Sequence, residues 1–134
     1  MDTQTFRVRT GATAGAFDIT DRVAAFVRAK GDGLVSVFVP HSTAGIALVE
    51  TGAGSDQDLL RHLEEMFPRD SRWLHRHGSR GHGADHVTPA FVSPSAVIPV
   101  LDGIMALGTW QSVVLVDTNR ENRERTVLVT FLAD

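Results

Sequence analysis

The stretch LVSVFVPHSTAGIALVE, Leu34–Glu50, holds two apolar runs on either side of a polar break. Leu34–Val39 is rich in β-branched residues and has the length of one buried strand. Pro40 has no N–H to give to a ladder, so it ends or edges that strand. His41, Ser42 and Thr43 then put polar side chains in a row. Ala44–Val49 resumes the strand pattern and Glu50 closes it. The expected picture is two strands joined by a tight connection, with an imidazole at one exit and a carboxylate at the other. Such groups need partners, because an unpaired buried polar group costs on the order of 1–3 kcal/mol.

The flanking sequence extends the pattern. Thr3–Thr10 alternates, with Phe6 and Val8 opposite Arg7 and Arg9, as a half-buried strand does. Thr20 is the expected N-cap of a helix carrying Val23, Phe26 and Val27, which Gly31-Asp32-Gly33 ends. Ser55-Asp56-Gln57-Asp58 resembles a capping box, and Leu59, Leu60, Leu63, Met66 and Phe67 mark one helical face before Pro68. In the C-terminal third, Ser95–Leu101 reads as a strand placed at an edge or bulge by Pro99. Asp102-Gly103 signals a hairpin turn. Trp110 is expected to lay its ring over the sheet, with its indole N–H partnered. Val113–Val116 is a buried run, Asp117–Glu124 a polar tip, and Arg125–Leu132 a final strand. Strands outnumber helices, so the fold class is α+β: one domain over residues 1–134, a largely antiparallel sheet or sandwich with two main helices.

Composition narrows the chemistry. The 134 residues contain no cysteine, which excludes disulfides, thiolate metal sites and cysteine nucleophiles. A formal charge of −3 argues against a dedicated nucleic-acid partner. No apolar run approaches the ~20 residues of a membrane span, and the first residues lack a signal-peptide pattern. A soluble cytoplasmic protein without a membrane partner is expected. There is no Walker loop, no G-x-G-x-x-G and no G-x-S-x-G, so no organic cofactor is evident.

Candidate site residues lie in a few places. His41 is a metal ligand or general base, or else a histidine satisfied at a strand end. Glu50 can orient a histidine, take a proton or ligate a metal, or else be a solvated carboxylate. Arg69–His86 is the anomalous segment: four of the six histidines fall there, with Arg69, Arg72, Arg76 and Arg80. His82 and His86 have zinc-site spacing, but Gly81 and Gly83 make His82 a poor helical residue, so His86 is preferred. His75 and His77 would share a face if extended; for His77 a solvated loop is the expected setting. A short helix within Ala84–Val92 is expected to carry His86. Ser42, Thr43, Ser95 and Thr109 are short donors near turns and, with arginine side chains, suit phosphate.

Together these residues resemble the YjbQ-like family, often labelled secondary thiamine-phosphate synthases. The resemblance is carried by His41-Ser42-Thr43-Ala44-Gly45 with Glu50, by the Asp58-bearing helix, by Asp85-His86, and most specifically by SAVIPVLDGIMALGTWQ, Ser95–Gln111. Val49 departs from the asparagine common before the glutamate. The resemblance implies a small α+β protein, usually a homotrimer, with a site built from His41, Glu50 and His86. His75, following an aromatic by two, matches a further family histidine. The implied reaction joins a pyrimidine pyrophosphate to a thiazole phosphate and releases pyrophosphate. Its phosphorylated substrate would meet Ser42, Thr43, Arg72, His75, Arg76, Ser95 and Thr109. His41, Glu50 and His86 would be catalytic and would hold a divalent metal such as Mg²⁺, Zn²⁺ or Mn²⁺. A metal-dependent hydrolase using the same cluster, and a non-enzymatic trimer binding a metal or anion, are the competing expectations. Nine positions separate His41 from Glu50, so they meet only if the chain bends or a second subunit supplies one of them.

Overall fold

A computed structural model describes residues 1–134. The strands are β1 (Asp2–Arg9), β2 (Gly15–Asp18), β3 (Gly33–Phe38), β4 (Ala44–Val49), β5 (Ser95–Leu101), β6 (Ile104–Met105), β7 (Ser112–Asp117) and β8 (Glu124–Ala133). The helices are α1 (Thr20–Val27), α2 (Ser55–Met66) and α3 (Gly83–Val87), the last running into a 3₁₀ turn at Thr88–Ala90. Two antiparallel sheets result, one in the order β1-β8-β3-β5-β6 and the other β2-β7-β4. The α+β expectation is met. No helix is long and apolar enough to cross a membrane.

The larger sheet turns Val8, Val127, Val129, Phe131, Val35, Val37, Ile98 and Val100 inward, where they meet Ile46, Val113 and Leu115 of the smaller sheet and Val23 and Val27 of α1. Full burial of one such valine is worth up to about 1.5–3 kcal/mol. The smaller sheet is covered on both faces. Val114 and Val116 point the other way, onto Leu63 and, at its margin, Leu59, Leu60 and Phe67 of the α2 region. This double covering is why Val113–Val116 is apolar without alternation.

β3 and β4 do not form a hairpin. β3 lies between β8 and β5, whereas β4 pairs with β7 in the other sheet. The link Val39–Thr43 is therefore a crossover between layers. Pro40 cannot continue the ladder of β3, and Val39 turns its N–H to Pro94 O at 2.8 Å instead. Gly45 lets β4 come close under the 3₁₀ turn, since a Cβ there would sit 2.1 Å from Val92 O.

Smaller expectations need correction. Gly15–Asp18 is a strand that the sequence pattern did not reveal. Ile19, not Thr20, is the N-cap of α1, and Asp18 before it binds the first turn: its Oδ1 accepts the Thr20 N–H at 3.0 Å and the Thr20 hydroxyl at 2.6 Å. Asp58 does not close a capping box; α2 starts from Gly54 at φ 102°, and Asp58 pairs with Arg61 at 2.9 Å. Met66 and Trp110 are exposed, so Trp110 lays no ring over the core. The indole that finds a partner is that of Trp73, which donates to Pro68 O at 2.8 Å. Other expectations are met: Asp102 and Gly103 both take positive φ in the β5–β6 turn, and β6 pairs only with Val100 and Leu101.

The polar tip is partly interior. Arg125 of β8 and Asp117 of β7 are buried and bridge the two sheets, with Arg125 Nε 2.6 Å from Asp117 Oδ2 and Nη2 3.0 Å from Oδ1. Arg125 Nη2 also donates to the Thr43 hydroxyl at 2.8 Å, so the crossover is tied to the same pair. Replacing Arg125 by Met should strand the buried carboxylate and cost about 3–5 kcal/mol in urea unfolding. The double variant Arg125→Met/Asp117→Leu should recover most of that loss.

Candidate metal centre

The His-rich segment folds over the end of the smaller sheet. Arg69 follows α2 and pairs with Asp85, which is buried on α3 and also accepts the Thr118 hydroxyl at 3.0 Å. Arg69 reaches the Ser79 hydroxyl at 2.8 Å, and the Ser79 N–H donates to Glu121. Gly81 and Gly83 permit the close packing: a Cβ on Gly81 would lie 2.4 Å from Arg69 Cα, and one on Gly83 2.5 Å from Trp73 Cβ. The loop is thus clamped at both ends, and α3 begins directly after His82.

This clamp brings four imidazoles together. The ring centroids of His75 lie 3.9 Å from His77 and 4.1 Å from His86, and those of His82 and His86 are 4.7 Å apart. One ring nitrogen from each of His75, His77 and His86 falls within 4.8 Å of the others. His75 Nδ1 is buried without a hydrogen-bond partner. His82 Nε2 and His86 Nε2 are 3.0 Å apart, so one donates to the other. His82 Nδ1 lies 3.3 Å from Asp85 Oδ2 and also makes no hydrogen bond. Burial, then the neighbouring His75, His82 and His77, hold the His86 pKa below the ordinary histidine value, against the opposing pull of Asp85. A neutral imidazole is the form that ligates metal. His77 is exposed, so one side of the cluster faces solvent.

The expected trio does not converge within the chain. His86 joins the cluster. His41 sits in the crossover, where Nε2 accepts the Thr126 N–H at 3.0 Å. β3 has ended there, so the imidazole supplies the acceptor that the ladder lacks. Burial and then Arg125 hold the His41 pKa low, opposed by Asp117. Glu50 follows the far end of β4: Ala44 pairs with Asp117 but Val49 with Ser112, and a strand of 6 residues spans about 20 Å. The bend into the second sheet therefore carries Glu50 away from His41.

The other expected contacts scatter. Thr43 is buried and accepts from Arg125 and Asn119, which makes it part of the inter-sheet network. Ser42 and Thr109 are exposed, and Ser95 opens β5 opposite Phe38. Arg72 is committed to Asp70, with Nε 2.9 Å from Oδ1. Arg76 and His75 do meet, in a groove of about 200 Å³ that Arg80, Ser79 and Trp73 also line. His77 and His82 gain importance over their sequence reading. The signal for them was the density of histidines between 75 and 86, read pair by pair instead of as one set. Asp85 entered only through the Asp85-His86 motif of the resemblance, and Arg69 and Asp117 carried no spacing signal.

A family model described as "UPF0047 protein YjbQ-like" matches residues 4–134. The chain belongs to this YjbQ-like family. UPF0047 protein Rv2556c of Mycobacterium tuberculosis is 55% identical over 132 residues, 98% of each chain. UPF0047 protein YugU of Bacillus subtilis is 34% identical over 82% of this chain and 84% of its own. Among solved structures, hypothetical protein APE1520 of Aeropyrum pernix superposes with a TM-score of 0.90 at 31% identity, covering both chains fully. A protein of unknown function from Sulfolobus solfataricus gives 0.91 at 29% identity over 99% of this chain and 97% of its own. These members establish the family and the fold, and none of their names carries an activity.

Both histidines with depressed pKa values favour the folded state only while neutral. Their contribution is complete above the unfolded value near 6.5 and is lost as pH falls through the folded value. The thermal midpoint of the metal-free protein should drop between pH 7 and pH 5. A His41→Gln/His86→Gln variant should show a shallower drop, read by circular dichroism in matched buffers.

Proposed function

We propose that His75, His77 and His86 hold a divalent metal, and that the chain is a metal-dependent enzyme acting on a phosphorylated small molecule. The observation that carries this reading is the convergence of three imidazoles, one with a buried, partnerless nitrogen. Neutral imidazoles turned on one another leave lone pairs unsatisfied, and a cation among them supplies the missing partner. Ligand nitrogens in a tetrahedral zinc site lie about 3.4 Å apart for bonds near 2.1 Å, so small side-chain rotations would close the cluster. An all-imidazole set suits Zn²⁺ over Mg²⁺. His82, beside His86 and against Asp85, stands where an outer partner orients a ligand.

Arg76 and Arg80 share a groove with His75, and a phosphate there would meet guanidinium groups. A bound metal would add Lewis acidity. The resemblance to thiamine-phosphate synthases supplies one specific reaction, joining a pyrimidine pyrophosphate to a thiazole phosphate. A leaving pyrophosphate needs such cationic surroundings. Hydrolysis of a phosphate ester would use the same groups and is the competing chemistry.

The outer face of the larger sheet supports self-association, as the homotrimer the resemblance implies. Leu34 lies beside Leu132 and Phe38 beside Leu128, and Val97 and Leu101 extend the apolar face across β5. Leu34, Phe38, Val97, Leu101 and Leu132 are all exposed, and a contiguous apolar face of this kind suits an interface between copies.

Zinc titration of EDTA-treated protein should show one tight site per chain. His77→Ala or His86→Ala should weaken it by more than the roughly 10- to 100-fold an outer partner is worth. Wild-type affinity in both variants would reject the centre. With zinc, manganese or magnesium, the two thiamine precursors should yield thiamine phosphate and pyrophosphate. Release of inorganic phosphate from esters in place of coupling would select the hydrolase. Light scattering should report three chains, and Leu132→Glu should dissociate them.

A further inference from the structure

One side chain of the tip between β7 and β8, Glu121, reaches the histidine loop. Its carboxylate accepts the Ser79 N–H, and Oε1 lies 3.7 Å from His82 Nδ1. Its own N–H donates to Asn119 Oδ1 at 3.0 Å. Asn119 is buried and bonds Asp117 and Thr43, so Glu121 stands on the network that joins the two sheets. Gly78 leaves room for it, since a Cβ there would lie 2.7 Å from Glu121 Oε1. The bonds from Ser79 hold the Glu121 carboxyl below its ordinary pKa, so it is ionised at neutral pH and accepts as a charged group.

The segment that Glu121 grips has few other ties. From Ser71 to Gly78 no main-chain group bonds another main-chain group. Arg72 and Arg76 bond within the segment's own start, to Asp70 and Ser71. Trp73 anchors the near end to Pro68, and Ser79 anchors the far end between Glu121 and Arg69. His75 and His77 lie between these anchors, whereas His86 is carried by α3. We propose that Glu121 is a positioning residue, which docks the arm bearing His75 and His77 against His86 before any metal arrives. This role rests on the metal centre proposed above. A loose arm would present the three imidazoles together for part of the time, and apparent affinity falls with that fraction.

The docking is read first without metal. Ring-to-ring NOEs between His75 and His86, whose centroids lie 4.1 Å apart, are expected in EDTA-treated full-length protein. Glu121→Ala should remove them while NOEs between β4 and β7 persist. Glu121 is exposed, so its truncation leaves the core intact. The same variant should weaken zinc binding about tenfold, at the low end of what an outer partner is worth. Glu121→Gln, which keeps an acceptor oxygen, should recover most of that loss. Saturated with Co²⁺, wild type and Glu121→Ala should share one visible spectrum, because the ligand atoms are the same. A changed spectrum makes Glu121 a ligand and overturns the positioning role. Ring NOEs and zinc affinity unmoved in Glu121→Ala, with His77→Ala still weakening zinc, overturn that role and leave the metal centre standing. Wild-type protein that takes up no zinc, while Glu121→Ala still loses the ring NOEs, rejects the metal centre and upholds the docking.

Discussion

The buried pair of Arg125 and Asp117 is the interaction on which the arrangement rests. It joins one strand of each sheet at the end of the sandwich where the crossover, α3 and the polar tip all meet. Desolvating two charges is expensive, and it is offset here by two hydrogen bonds within the pair and by the Thr43 hydroxyl. Asn119 extends the network, donating its backbone N–H to Asp117 Oδ1 at 2.9 Å. The pair fixes Arg125 against Asp117 through two hydrogen bonds, while Arg125 Nη1 stays buried without a partner. The position of Thr118, which holds Asp85, follows from that pairing.

Much of the fold was legible because it is written in local patterns. The apolar runs at Leu34–Val39, Ala44–Val49 and Val113–Val116 are strands, and the Leu59–Phe67 stripe lies on α2 and its cap. The exchange of partners between β3 and β4 was not legible. Pro40 shows that a ladder stops, and no residue nearby says which sheet receives the next strand. That choice is made at long range, by Asp117 pairing with Ala44 and by Arg125 reaching Thr43. Sequence reasoning placed Thr43 with phosphate for the same reason, since a hydroxyl bound to a distant arginine looks like any other hydroxyl near a turn.

The site was partly legible in the same sense. His75 and His86 were singled out, and the structure places both in one cluster. His41 looked like a ligand because its family motif and its place at a strand exit agree. The structure gives it a partner that no motif announces, the lone N–H of Thr126 left by the end of β3. His77 and His82 were discounted for being flanked by glycine and arginine. Those glycines are what allow the loop to press against Arg69 and Trp73 and close the cluster.

The order of strands in the larger sheet bears on how the chain is made. β8, the last strand in the sequence, sits between β1, the first, and β3. A ribosome delivering the chain from its N-terminus releases β1 and β3 long before the strand that separates them. Until β8 emerges, both offer unpaired edges, and β3 carries Leu34 and Phe38 on the face the finished sheet leaves open. Contacts of such large sequence separation form slowly. A nascent chain that has released β1 and β3 still lacks the strand that pairs with both, and those edges stay open until it arrives.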